Sequence, residues 1–169
     1  MEYGLKYANS GFTLRSPLKS VYNTIVAAFS DCGLFFEADF YLEKMMDISR
    51  LDPCDSSVDF WNSDTLNELV YYDSKVYVKL GMGDVAGAEQ AAVDMQAILT
   101  EREIPEDGRA FFLLQKEFTD LYLRLYQQKD KAVIAEEFNS YMKKMEAGEG
   151  ARATLSFCVC YFGEFLQVM

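Results

Sequence analysis

The most reactive side chains in this sequence belong to four cysteines, and the chain contains no histidine. A cysteine thiolate can act as a nucleophile or bind a metal, but both roles need a neighbouring base or further ligands. Only Cys158 and Cys160 are close in sequence, and on a helix they would point to different sides. The missing histidine also removes the usual proton shuttle near neutral pH. The sequence therefore predicts free, buried thiols in a reducing compartment and no metal site.

A glycine-rich stretch at 81–87 is the second feature that could bind a ligand. A dinucleotide-binding loop needs a preceding strand, whereas Val76, Tyr77 and Val78 belong to a helical pattern. The acidic residues lack the alternating spacing of oxygen ligands in a calcium-binding loop. We therefore expect a protein that is not an enzyme and that holds no cofactor.

The elements that position these residues are predicted to be paired helices. Val21, Ile25 and Phe29 follow helical spacing and precede Gly33, a residue that suits the left-handed end of a helix. A second helix begins within a few residues. The pattern returns after a shift of 50 residues, which aligns Tyr22 with Tyr72, Gly33 with Gly83, Ala38 with Ala88 and Met45 with Met95. The repeat predicts an all-α fold, an α-solenoid of antiparallel helical hairpins.

We expect residues 1–169 to form a single helical-repeat domain. Its predicted parts are hairpins at about 20–46, 65–100 and 109–146 and an odd helix at 151–169. The third hairpin is degenerate. In the preferred register Met142 closes it and Ala135 is its small packing residue, whereas alignment on Met145 keeps the 50-residue spacing and loses the match at Ala135.

The first copy resembles a pentatricopeptide repeat, and the matching residues are Tyr22, Asn23, Thr24, Gly33, Glu37, Ala38, Glu43 and Met45. The chain thus resembles a short, degenerate member of that family, whose hairpins are of the tetratricopeptide kind. The resemblance implies single-stranded RNA bound along the first helices, with bases recognised at Asn23, Asp73 and Asp120. It also implies a location in a mitochondrion or a plastid.

The charge of the chain disfavours RNA as the partner. It has 16 Lys and Arg against 27 Asp and Glu, a net charge of −11, and nucleic-acid affinity depends largely on cations that neutralise phosphates. Two of the base-recognition positions, Asp73 and Asp120, also carry carboxylates. A local basic stripe on the first helices is the remaining route to RNA, and its members are Lys75, Lys79, Arg109, Lys116 and Arg124. A solvated charged face is the simpler interpretation of these cations.

Aromatic residues point to protein partners instead. The predicted anchors are Phe60 and Trp61 in the connector 46–64, and Phe157, Tyr161 and Phe165 in the apolar stretch 151–169. Packing of Phe60 and Trp61 on the neighbouring hairpin is the more ordinary interpretation of that pair. The stretch 151–169 is too short to span a membrane, and we expect its outer face to be covered by a partner or by further chain.

Exposed aromatics on the first hairpin, at Phe35, Phe36, Phe40 and Tyr41, add to this surface. The sequence therefore predicts a non-catalytic scaffold or assembly subunit that binds protein subunits of a larger organellar complex. The alternative is an RNA-binding factor in organellar RNA metabolism or translation.

Overall fold

The computed structural model of the chain describes residues 15–51, 60, 63–127 and 130–147. This part of the chain contains no strand. It forms six α-helices, α1 (Arg15–Asp31), α2 (Phe35–Leu51), α3 (Asp64–Gly81), α4 (Val85–Glu101), α5 (Glu106–Tyr126) and α6 (Lys131–Ala147). The all-α class predicted from the sequence is thereby confirmed. None of the described helices is both long enough and apolar enough to cross a membrane.

The helices pack in the order in which they occur in the chain. Within each pair, α1 packs on α2, α3 on α4 and α5 on α6, and the pairs are joined by contacts of α2 with α3 and of α4 with α5. The first helices of neighbouring pairs also touch, α1 with α3 and α3 with α5. The predicted helix at 151–169 lies outside the described residues.

The turn between α1 and α2 explains why the sequence places glycine there. Gly33 has a φ of 72°, and its N–H donates to the carbonyl of Ser30. The next N–H, of Leu34, donates to the carbonyl of Phe29 at 2.8 Å. This pair of bonds is the Schellman motif, which ends a helix on a residue in the left-handed region. Glycine adopts that conformation readily because it has no Cβ.

The turn between α3 and α4 repeats the same bonds 50 residues later. Gly83 has a φ of 77° and donates to the carbonyl of Leu80, while Asp84 donates to the carbonyl of Lys79 at 2.8 Å. The side chain of Asp84 also caps α4 by accepting a bond from the Gly87 N–H. The glycine-rich stretch at 81–87 is therefore a helix-to-helix turn, with its local hydrogen bonds made inside the hairpin.

The third hairpin departs from the predicted register. One row of α6 side chains is buried, Ile134, Phe138, Tyr141 and Met145. Ala135 and Met142 are only half-buried, so the register that aligns them with Ala88 and Met95 is wrong. Counted from the start of each helix, those two positions correspond to Ile134 and Tyr141. Matching alanine to alanine and methionine to methionine shifted the predicted register by one residue. The buried positions of this hairpin hold the larger side chains of Ile134 and Tyr141 instead.

The buried side chains form three clusters, and helix α3 contributes to all of them. Ala38 of α2 and Ala88 of α4 are completely buried, in keeping with small side chains at close helix contacts. Helix α3 is thus the central element of the described structure. Its apolar side chains pack against both neighbouring hairpins, and its polar side chains make further contacts with α2 and α5.

Candidate binding surfaces

Two ion pairs with matching spacing join α2 to α3. Lys75 Nζ lies 2.8 Å from Glu43 Oε1, and Lys79 Nζ lies 3.0 Å from Asp39 Oδ2. Each helix contributes side chains four residues apart, so both pairs follow one line along the contact. Burial raises the pKa of Glu43, but hydrogen bonds from Lys75 and Tyr71 outweigh that effect and hold it below the ordinary value. These two lysines therefore attach the first hairpin to the second.

The other cations of the predicted basic stripe are also bound within the chain. Lys116 pairs with Asp120, Arg124 pairs with Glu137, and Arg109 donates to two backbone carbonyls at the end of α4. The ion-pair partners of the stripe were not predicted from the sequence. For Lys75 and Lys79 a signal was present, because Glu43 and Asp39 have the same four-residue spacing as the two lysines. A phosphate would have to compete with an existing contact at every position of the stripe.

The three predicted base-recognition positions differ in their accessibility. Asn23 is half-buried on α1, and Asp120 lies 2.6 Å from the ammonium group of Lys116. Asp73 is only 7% exposed because α5 covers it. The predicted role of Asp73 is therefore wrong for this structure, since a nucleotide base cannot reach its carboxyl group.

Asp73 is instead the centre of a buried polar cluster between α3 and α5. Its Oδ1 accepts a hydrogen bond from Thr119 Oγ1 at 2.8 Å, and its Oδ2 accepts one from Gln115 Nε2 at 3.1 Å. The Tyr77 hydroxyl lies 3.3 Å from Thr119 Oγ1. Burial raises the pKa of Asp73 to about 6, although both hydrogen bonds act in the opposite direction. The signal in the sequence was a polar pair, Gln115 and Thr119, spaced four residues apart on an apolar helix face.

We expect weak RNA binding as a consequence of this arrangement. In a filter-binding assay at physiological salt, single-stranded RNA should bind with a dissociation constant weaker than about 10⁻⁵ M and without sequence preference. The reason is that the candidate cations are engaged and Asp73 is covered. Nanomolar affinity that depends on RNA sequence and is lost on Asn23→Ala would contradict this prediction.

Phe60 does not serve as an exposed anchor. Its side chain is 8% exposed and packs in a cluster with Met95, Leu99 and Phe112. The ring also lies over Gly108, where a Cβ atom would approach it to 2.4 Å. Phe60 therefore packs on the neighbouring hairpins of its own chain, which was the more ordinary of the two interpretations. The other predicted anchors, Trp61, Phe157, Tyr161 and Phe165, lie outside the described residues.

Helix α2 exposes a pair of aromatic side chains on the side opposite its buried face. Phe36 is 72% exposed and Phe40 is 57% exposed. They are four residues apart, so they lie next to each other along the helix. The ammonium group of Lys44 lies 5.6 Å from the ring centre of Phe40. This exposed surface, formed by Phe36 and Phe40, is called the aromatic pair below.

The other aromatic residues of the same hairpin are engaged in packing. Tyr41 is half-buried, with ring centres 5.6 Å from Phe29 and 5.9 Å from Tyr22. Phe35 is also half-buried and lies against the backbone of Gly81 at the end of α3. Of the four aromatic residues predicted to be exposed on this hairpin, only Phe36 and Phe40 are exposed.

A groove of about 610 Å³ lies between α5 and α6. Its lining residues are Glu117, Asp120, Leu121, Leu123, Arg124, Glu136, Glu137 and Ser140. The Ser140 hydroxyl donates to the backbone carbonyl of Glu136 rather than to a carboxylate. In the described ranges no three side chains of the metal-binding types come close enough to hold an ion. Cys32 is a free thiol, but it is exposed, so the burial predicted for the thiols is wrong at this residue. The other three cysteines lie outside the described residues.

Comparison with models of protein families, with curated proteins and with solved structures finds no match to this chain. The resemblance to pentatricopeptide repeats therefore stays a prediction. Among the surfaces described above, the aromatic pair combines large apolar side chains with high exposure, although the Phe40 ring also meets Tyr41 edge-on with ring centres 5.3 Å apart.

Proposed function

We propose that this chain is a non-catalytic helical-repeat scaffold that binds a protein partner through the aromatic pair on α2. The observation that carries the proposal is the exposure of two neighbouring phenylalanines, Phe36 and Phe40. The corresponding positions of α4 hold Ala86 and Gln90, so a helix in this place does not need aromatic side chains in order to pack. Aromatic residues are enriched at protein interfaces, where they supply much of the binding energy.

The wider architecture is part of the same proposal. The three hairpins form a short α-solenoid of the pentatricopeptide kind, which works as a subunit of a larger organellar complex. The repeated turns at Gly33 and Gly83 and the packing of the helices in chain order support the solenoid. The organellar setting rests on the sequence resemblance alone.

RNA binding in organellar RNA metabolism or translation is the alternative function. The sequence resemblance suggests RNA, and the basic stripe was the remaining source of phosphate contacts, but the partners of Lys75, Lys79, Lys116 and Arg124 are carboxylates of the same chain. No contact among the described residues favours RNA over protein. We therefore place the protein-binding function first.

Recovery of partners from the native source tests the proposed function. A tagged chain should retain one or more proteins in stoichiometric amounts, with and without nuclease treatment. The double variant Phe36→Ala, Phe40→Ala should reduce this recovery about tenfold or more, because truncating interface aromatics typically costs 1 to 2 kcal/mol or more of binding free energy. Both side chains are exposed, so the folded state should be kept, as circular dichroism would show.

The matched control is Val93→Ala, which removes a side chain of similar exposure, 61%, from α4. It should leave recovery unchanged. Undiminished recovery with the double phenylalanine variant would overturn the proposed site. Recovery that disappears on nuclease treatment would favour the RNA-binding alternative.

A further inference from the structure

The contact between α3 and α5 contains a carboxyl group without a cation. Asp73 is buried, and its hydrogen-bond donors, Thr119 and Gln115, are both neutral. Gln115 Oε1 is itself buried without a hydrogen-bond partner. This contact differs from that between α2 and α3, where two half-buried carboxylates, Glu43 and Asp39, face lysines. The polar groups of the α2–α3 and α3–α5 contacts thus differ in their chemistry.

The charged groups around Asp73 are engaged elsewhere. On α5, Lys116 and Asp120 flank the two donors but pair with each other at 2.6 Å. On α3, Lys75 lies two residues away in sequence and is bound to Glu43 of α2 at 2.8 Å. Helix α4 carries carboxylates and has no lysine or arginine in its sequence. A negative charge on Asp73 would therefore be formed in a buried contact, without a counter-charge among the described residues.

We propose that Asp73 makes the α3–α5 contact a pH-sensitive joint between the second and third hairpins, closed while its carboxyl group is protonated and loosened when it ionises. The joint is independent of the proposed partner. It concerns how firmly α5 and α6 are attached to the remainder of the described structure.

The direction of the effect follows from the protonation of the two states. Burial raises the pKa of Asp73 from the ordinary 3.8 to about 6 in the closed contact. The closed state therefore binds the proton more tightly than an open, hydrated state. Its extra stability is fully present below pH 3.8 and is lost as the pH rises through about 6. Separation of α5 from α3 would give the carboxylate access to water, which relieves the cost of burying its charge.

Hydrogen–deuterium exchange of the full chain tests the joint, with protection factors corrected for the intrinsic pH dependence of exchange. Between pH 5 and 7.5 the protection of α5 and α6 amides should fall about tenfold relative to α1 and α2, as expected for a group whose pKa moves from 3.8 to about 6. Asp73→Asn keeps the size of the side chain and removes the charge, so this fall should disappear. Asp31→Asn, on the exposed end of α1, is the matched control and should keep it.

Two results would overturn the proposal. One is a fall in protection that persists in Asp73→Asn, and the other is a fall of equal size in all three hairpins. A titration of the unaltered chain tests the proposal even if Asp73→Asn fails to fold. The carboxyl carbon of Asp73, followed by NMR, should titrate with a midpoint near pH 6, and a midpoint near 3.8 would also overturn the joint.

Discussion

Phe60→Ala should lower the free energy of unfolding by about 3 kcal/mol, a typical loss for a buried phenylalanine. The ring meets Phe112 edge-on, with ring centres 6.4 Å apart and an interplanar angle of 84°. It fills the space above Gly108 in the first turns of α5. Truncation would leave a cavity between α3, α4 and α5 that the rigid helices cannot close. Urea denaturation followed by circular dichroism measures the loss.

Gly108→Ala supplies a second, independent check on the same contact. In the natural sequence the new Cβ would lie 2.4 Å from Phe60 Cε1, so the variant should be destabilised by roughly 1 to 3 kcal/mol. In the Phe60→Ala background the clash is absent, and alanine should instead stabilise the helix by up to about 1 kcal/mol.

Gly81→Ala is the comparison variant, because its Cβ would meet the Phe35 ring at 2.3 Å, but that ring is half-buried and can turn towards solvent more easily than the buried Phe60 ring. Its cost should be smaller than that of Gly108→Ala. Additive losses in the Phe60→Ala, Gly108→Ala double variant would contradict the packing described here. Unchanged stability of Phe60→Ala together with reduced partner recovery would restore the docking role predicted from the sequence.

Phe118→Ala should cost about 4 kcal/mol, the largest effect expected of a single substitution in the third hairpin. Its side chain is completely buried. Three rings surround it, those of Tyr122, Tyr141 and Phe138, with ring centres 6.3, 5.7 and 6.4 Å away. The aromatic contacts join α5 to α6, so their loss should weaken the whole hairpin.

Leu113→Ala is the control for this substitution, because Leu113 lies on the same helix and is 46% exposed. It should change the free energy of unfolding by no more than about 0.5 kcal/mol. Urea denaturation of both variants gives the comparison. A cost below about 1 kcal/mol for Phe118→Ala would mean that α5 and α6 do not pack as described.

Local features of the fold were predictable because they depend on single residues and short spacings. Gly33 and Gly83 mark turns that require the left-handed conformation, and the apolar rows around them indicate helices directly. The third hairpin was harder to align because Ile134 and Tyr141 occupy positions where the earlier hairpins have alanine and methionine. Alignment by residue type therefore gave the wrong register for the third hairpin. The buried positions of α6 nevertheless have the same seven-residue spacing as Ala88 and Met95 of α4.

Features that depend on contacts between hairpins were not predictable in the same way. The sequence put Asp73 at an accessible position of a groove, and only the packing of α5 reveals that Thr119 and Gln115 cover it. Phe60 lies in a connector of polar composition, which hides its contact with Gly108 more than 40 residues later. Of the four aromatics predicted to be exposed on the first hairpin, Phe36 and Phe40 are exposed and lie opposite Ala38 and Leu42 on a helical projection. Phe35 and Tyr41 are half-buried.

Site-specific photo-crosslinking at Phe40 tests the central claim, a protein partner on the aromatic pair, most directly. A photoreactive phenylalanine analogue would replace Phe40 in the full chain, expressed in the native source, and the same analogue at Val93 would serve as the control. The proposal predicts a crosslink from position 40 to one or a few defined proteins, unaffected by nuclease and absent from position 93. Crosslinks to RNA, equal crosslinking from both positions, or none from position 40 would contradict it.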